Sequence, residues 1–178
     1  LVCYLNNTKA IHKGELMKLK TALVGSSGYI AEFIIQRFNK ERDIESILKI
    51  DRNDKADVFL ELSEAEKFDY ELLNDIDYIV FTAAISGPDQ CAREYDISWN
   101  INVIGTIYFI REAIKHGCRV LFFSSDAVFG DIPGMIYDEE SATEANTPYG
   151  KMKKAVEDEF KEESLFKAIR LSYVASAK

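Results

Sequence analysis

The sequence predicts an α/β fold, a doubly wound parallel sheet with helices on both faces, on three observations. Short aliphatic and β-branched runs alternate with stretches of helical periodicity in the order β-α-β-β-α-β-α-β, so most strands are joined by helical crossovers. The run at residues 78–84, Tyr-Ile-Val-Phe-Thr-Ala-Ala, is apolar on both faces, as a central parallel strand should be. The first apolar run, residues 21–24, breaks at Gly25 and Gly28 and passes into a helix-periodic stretch. Strand, glycine turn and helix form the context in which a glycine motif binds a dinucleotide.

At the first strand end, Gly25 allows a sharp turn because glycine takes positive φ without a Cβ clash. Gly28 allows a pyrophosphate to approach the backbone, and the small Ala31 lets the helix pack close to the strand. From Tyr29 the apolar positions Ile30, Phe33, Ile34 and Phe38 recur at helical spacing. The helix N-terminus then offers free N–H groups and a favourable dipole to an anion. The spacing is Gly-x-x-Gly-x-x-Ala, and an ordinary strand-to-helix turn is the competing reading of this stretch alone.

Residues 46–51 form the second strand and end in Asp51, placed to accept hydrogen bonds from an adenosine ribose, with a strand-end acid in a solvated loop as the competing reading. Its charge opposes a 2′-phosphate and favours NAD; Arg52 beside it keeps NADP open. Residues 58–62 read as the third strand, with Glu61 either toward an adenine or simply on the surface, and residues 64–73 as a short helix. The fourth strand ends in Thr82, Ala83 and Ala84, small enough to leave room for a ligand, although close packing explains small residues equally well. Gly87-Pro88-Asp89 turns the chain. One long helix then carries Trp99, Val103, Ile107 and Ile110 and ends at Gly117. The fifth strand is 119–124, followed by an acid-rich loop at 130–147, long enough to suggest function. A charged amphipathic helix at 149–163 and a last strand at 166–174 complete the order.

A length of 178 residues suits one domain, assigned to residues 17–178; residues 1–16 lack periodicity and read as a leader outside the fold. The net charge of -8 argues against nucleic acid and anionic membrane surfaces, which both need a basic face. No apolar run reaches membrane-spanning length. Three scattered cysteines fit a reduced, cytoplasmic compartment, and no Cys/His cluster has metal spacing, so no metal is expected.

Two late segments carry chemistry. Ser124 and Ser125 lie at the end of the fifth strand, and Tyr149 and Lys153 are four apart at the start of the last helix, so they share one face. A phenol beside an ammonium is a usable acid/base pair, because the positive charge favours the phenolate.

With these motifs the chain resembles the extended short-chain dehydrogenases/reductases, the NAD-dependent epimerase/dehydratase family, over residues 17–174. Gly-Ser-Ser-Gly-Tyr-Ile-Ala matches the glycine motif, with Ala31 for the usual third glycine, and Asn102-Val103-Ile104-Gly105-Thr106 matches a helix motif. Ser125 falls at the catalytic Ser/Thr position, and Tyr149 and Lys153 match the catalytic Tyr-x-x-x-Lys. The segments Ser-Ser-Asp-Ala-Val-Phe-Gly and Ala-Ala-Ile-Ser-Gly-Pro-Asp-Gln-Cys are most similar to the dTDP-4-dehydrorhamnose reductase branch.

The resemblance implies a Rossmann-type fold and an NAD(P)-dependent oxidoreductase acting on a nucleotide-linked sugar, as a 4-keto-sugar reductase, an epimerase or a dehydratase. It implies cofactor contacts from Gly25, Ser27, Gly28, Tyr29, Ile30, Asp51, Arg52, Glu61, Leu62, Thr82, Ala83, Ala84, Asn102, Tyr149 and Lys153. Lys153 would hold the nicotinamide ribose and lower the pKa of Tyr149, Tyr149 would exchange the proton at the substrate oxygen, and Ser125 would polarise the carbonyl. Asn102 would support the helix and an active-site water, or only bond the backbone. The expected partners are a nucleotide sugar and, left open, a second copy in a homodimer. Family members continue beyond the last strand and build much of the sugar pocket there, whereas this sequence stops at Lys178. A fragment, a chain completed by a partner and a non-catalytic dinucleotide-binding or regulatory subunit therefore all stay open.

Overall fold

The computed structural model describes residues 18–130 and 134–172; the expected leader at 1–16 and the expected strand continuation at 173–174 lie outside them. Six parallel strands form one sheet: β1 (Leu19–Val24), β2 (Ile44–Asp51), β3 (Val58–Phe59), β4 (Tyr78–Phe81), β5 (Arg119–Ser125) and β6 (Phe166–Leu171). Their spatial order is β3-β2-β1-β4-β5-β6. The chain winds outward from β1 in one direction, then returns to β4 and winds outward in the other. The carboxyl ends of β1 and β4 therefore diverge at a switch point, where open α/β sheets leave a crevice for ligands.

Helix α1 (Tyr29–Phe38) covers one face of the sheet, with Ala31 and Phe38 against Leu23, Val80 and Leu121. The other face packs against α4 (Thr106–Lys115) and α5 (Pro148–Phe160), through Phe109, Ile110, Val156 and Phe160 on Phe81 and Phe122. Between β4 and α4 lie two short helices, α2 (Pro88–Arg93) and α3 (Tyr95–Trp99). Helix α5 begins as its sequence dictates: the Thr147 hydroxyl accepts from the Gly150 N–H at 3.1 Å, and Pro148 fills the first turn, where its missing N–H is harmless.

Several expectations change. Phe33 is 51% exposed and meets the Tyr29 ring edge-on at 5.1 Å, while Ile30, Ile34 and Ile35 face the sheet. The third strand is only Val58–Phe59; the Leu60 N–H makes the last bond to β2, at the Asp51 carbonyl, Glu61 leaves the sheet, and a 3₁₀ turn starts at Leu62, where burial of Leu62 and Ala65 outweighs strand pairing. The short helix expected over 64–73 is two 3₁₀ turns, Leu62–Lys67 and Tyr70–Leu73. The single long helix after Gly87 is interrupted at Glu94 and widens into a π-helical turn over Asn100–Gly105 before α4. At Gly105 a Cβ would collide with the Leu62 carbonyl, so the absent side chain lets this turn sit against the 3₁₀ segment. Helix α5 ends at Phe160, short of residue 163.

Candidate active site

The turn after β1 is built for close approach. Gly25 has φ +84°, and a Cβ there would lie 2.6 Å from the Ala83 nitrogen, so only glycine fits between the ends of β1 and β4. The Gly25 N–H donates to the Ile50 carbonyl at 2.9 Å, and the Thr82 hydroxyl donates to the Val24 carbonyl at 2.9 Å. Gly28 is the N-cap of α1 and has no side chain with which to satisfy the first N–H groups of the helix. Those donors stand beside Gly28, where two clefts meet; both clefts are also lined by Thr82 and Ala84.

The first cleft, about 220 Å³, runs toward β2 and is lined by Gly25, Ser27, Asp51, Arg52, Glu61 and Leu62, with Ala83 on its inner side. Asp51 latches the glycine turn: its Oδ2 accepts from the Ser27 N–H at 2.9 Å and from the Ser27 hydroxyl at 2.8 Å, and its Oδ1 accepts from the Arg52 N–H at 2.7 Å. Glu61 caps the following 3₁₀ turn through the Ser63 N–H and lies 4.0 Å from the Arg52 guanidinium. The Arg52 side chain is itself 68% exposed at the rim of the cleft.

The second cleft, about 370 Å³, runs toward β5 and β6 and is lined by Tyr29, Ile30, Ser125, Tyr149 and Lys153. The two carboxyl-terminal features of the sequence, far apart in the chain, therefore share one wall. Gly150 makes this possible, because a Cβ there would strike the Ala127 carbonyl in the turn after β5. The Ser125 hydroxyl caps that turn, accepting from the Ala127 N–H at 3.2 Å, and donates to Asp126 at 3.2 Å. The Ser124 hydroxyl is buried without a hydrogen-bond partner among the described residues.

The electrostatics differ from the implied pattern. Burial pushes the Tyr149 phenol up to about 12, helped by Cys91 and Asp126, rather than down. Lys153 is 3% exposed, and burial lowers its ammonium to about 7 against the opposing pull of Glu157 and Cys91. Its Nζ donates to the Phe123 carbonyl at 2.7 Å and sits 4.3 Å from the Phe122 ring centre but 5.8 Å from that of Tyr149. The amine thus hydrogen-bonds to the strand while lying over the Tyr149 ring, and its lowered pKa leaves part of it uncharged at neutral pH.

A sequence profile of the NAD dependent epimerase/dehydratase family matches residues 22–170. The chain belongs to this family. Among curated members, it is 34% identical over 82 residues to the spore coat polysaccharide biosynthesis protein SpsK of Bacillus subtilis, covering 46% of this chain and 29% of SpsK. It is also 34% identical over 83 residues to UDP-glucose 4-epimerase 2 of Oryza sativa, covering 46% of this chain and 20% of the epimerase. Among solved structures, the dTDP-4-dehydrorhamnose reductase of Bacillus anthracis in complex with NADP superposes with a TM-score of 0.73 at 24% identity. That match covers 89% of this chain and 55% of the reductase, so the chain spans about half the length of the solved relative.

Within this family frame, one expected cofactor residue stands back from both clefts. Asn102 is 3% exposed and clamps one residue: its Oδ1 accepts from the Ile85 N–H and its Nδ2 donates to the Ile85 carbonyl, both at 2.8 Å. It is the π-helical turn that directs the amide there, and Asn102 acts by fixing the segment after β4. Ile85 lines the first cleft and Ser86 the second, though neither was singled out in the sequence. The available signal was their position directly after Thr82-Ala83-Ala84, where the strand end continues into the crevice.

Proposed function

We propose that this protein binds a nicotinamide dinucleotide across the two joined clefts and acts as an oxidoreductase on a nucleotide-linked sugar. The reaction is a 4-keto-sugar reduction of the dTDP-4-dehydrorhamnose reductase kind, or an epimerisation or dehydration. The observation that carries this reading is the uncapped N-terminus of α1 at the junction of the clefts, with Asp51 on one side and Ser125, Tyr149 and Lys153 on the other.

The residues present fit the cofactor. Gly25 and Gly28 leave room for a pyrophosphate, and the first N–H groups of α1 supply its hydrogen bonds. Asp51 receives the adenosine ribose, which favours NAD; Arg52, engaged by Glu61, is the residue through which NADP would be accommodated. Tyr149 and Lys153 take the nicotinamide end. The bound cofactor supplies the hydride acceptor or donor. Tyr149 carries the proton at the substrate oxygen, and burial keeps the phenol protonated at neutral pH. Ser125 turns its hydroxyl from Asp126 to the same oxygen and polarises it.

A second reading, a non-catalytic dinucleotide-binding subunit, is favoured by Lys153 facing the Phe123 carbonyl instead of the phenol. A fluorescence titration with NADH and NADPH, followed by hydride transfer with a panel of nucleotide keto-sugars, separates the two. Binding with turnover supports the enzyme, binding without turnover supports the subunit, and no binding refutes both.

A further inference from the structure

Helix α5 carries Tyr149, Lys153 and Glu157 at four-residue spacing, one above the other on a single face. The first two line the second cleft; Glu157 does not. Glu157 is 9% exposed and held from the neighbouring strand by Arg170 of β6. The Arg170 Nε donates to both carboxylate oxygens at 3.2 and 3.1 Å, and Nη2 donates to Oε2 at 2.8 Å. The guanidinium is fixed in turn: it lies 4.8 Å from the Phe129 ring centre, and Nη1 donates to the Glu139 carbonyl at 3.3 Å. Glu157 is therefore an immobilised carboxylate one helical turn beyond a buried amine.

A buried ammonium needs a partner charge as well as hydrogen bonds. The surroundings of Lys153 offer few. β5 presents the Phe122 ring and the Phe123 carbonyl to the amine, and Ser124 and Ser125 line the same cleft without a charge. The α2 side contributes the buried Cys91 thiol, whose pKa burial raises, and α5 contributes the Tyr149 phenol, also raised. Asp126, exposed on the turn after β5, acts on Tyr149. Arg170 is cationic and lies behind Glu157. Glu157 exerts the largest influence that favours the charged amine.

We propose that Glu157, fixed by Arg170, is a positioning residue for Lys153, supplying the buried counter-charge that favours the ammonium form of the amine beside Tyr149. The proposal rests on the reading of Tyr149 and Lys153 as the cofactor and proton-transfer pair. A pure architectural pair joining α5 to β6 is the alternative, and it would leave the titration of Lys153 untouched.

The test is a heteronuclear NMR titration of the full chain with labelled lysine side chains, comparing the parent with Glu157→Gln. The acid dissociation constant of Lys153 should rise about tenfold or more in the variant, the usual effect of removing an opposite charge from a neighbouring helical position. An unchanged Lys153 midpoint in a folded Glu157→Gln protein overturns the proposal. Should that variant not fold, the parent decides: the Glu157 carboxyl carbon must show an inflection at the Lys153 midpoint, and its absence overturns the proposal equally. NADH affinity against pH gives the functional arm. Its inflection should move to lower pH in Glu157→Gln, whereas a merely structural defect lowers affinity evenly at every pH. A parent that binds no NADH, yet whose Lys153 midpoint responds to Glu157→Gln, refutes the proposed function and leaves the proposal standing.

Discussion

Burial of Lys153 makes the stability of the folded chain depend on pH in a direction that can be worked out in advance. Unfolded, the amine titrates near 10.5; folded, it titrates at about 7, mainly because burial disfavours the charged form. Below pH 7 both states hold the proton, and the folded state carries the whole cost of a buried ammonium. Between 7 and 10.5 the unfolded chain binds a proton that the folded chain does not, so stability rises with pH at about 1.4 kcal/mol per unit. Over that whole interval the effect is about 5 kcal/mol. The Cys118 thiol works the other way, since burial raises it from 9 to about 11 and its contribution falls above pH 9. The clean window is therefore pH 7 to 9, where Lys153 contributes a rise of about 2 kcal/mol, the slope being half its limit at the midpoint. Urea unfolding followed through the single tryptophan, Trp99, at pH 6, 7, 8 and 9 measures it. Subtracting the same series for Lys153→Met cancels the other titrating groups. The parent should gain about 2 kcal/mol on the variant between pH 7 and 9, and little between 6 and 7. A flat difference would show that the amine is solvated in the folded chain, and the account of the second cleft would fail with it.

Gly28→Val places a branched side chain at the junction of the clefts and should abolish measurable NADH binding; affinity at the parental level in a fluorescence titration refutes the glycine assignment. Asp51→Ala removes the ribose acceptor and also unlatches Ser27, so NAD should weaken and the NADP/NAD affinity ratio should rise; a parent that already prefers NADP strongly would show that Arg52 dominates. Tyr149→Phe should leave NADH affinity nearly intact and slow hydride transfer in single-turnover measurements by about 10²–10⁴-fold; a parental rate removes Tyr149 from the chemistry. Gly105→Ala drives a methyl group into the Leu62 carbonyl and should cost about 1–3 kcal/mol in urea unfolding, the usual size of an overpacking defect; unchanged stability would mean that the π-helical turn is free to move.

Where a feature depends on neighbours in the chain, the sequence alone determined it. The strand, glycine turn and helix of residues 19–38 could be read from a β-branched run, two glycines and a 3.6-residue period, because backbone conformation there is a local steric matter. The start of α5 at Thr147-Pro148 and the shared face of Tyr149 and Lys153 are equally local, and the family itself could be read from these motifs. Tertiary structure decided what depends on distant packing. β3 is cut to two residues because Leu62 and Ala65 are more usefully buried as a 3₁₀ turn under Gly105 than extended along β2. The Asn102 amide is spent on Ile85 because a π-helical turn, invisible in a periodic apolar pattern, rotates it inward. The protonation of Tyr149 and Lys153 follows from the same cause. Their four-residue spacing places the two side chains on one helix face, but only the sheet and helices packed around them determine the loss of water that raises one pKa, lowers the other and gives Glu157 and Arg170 their role.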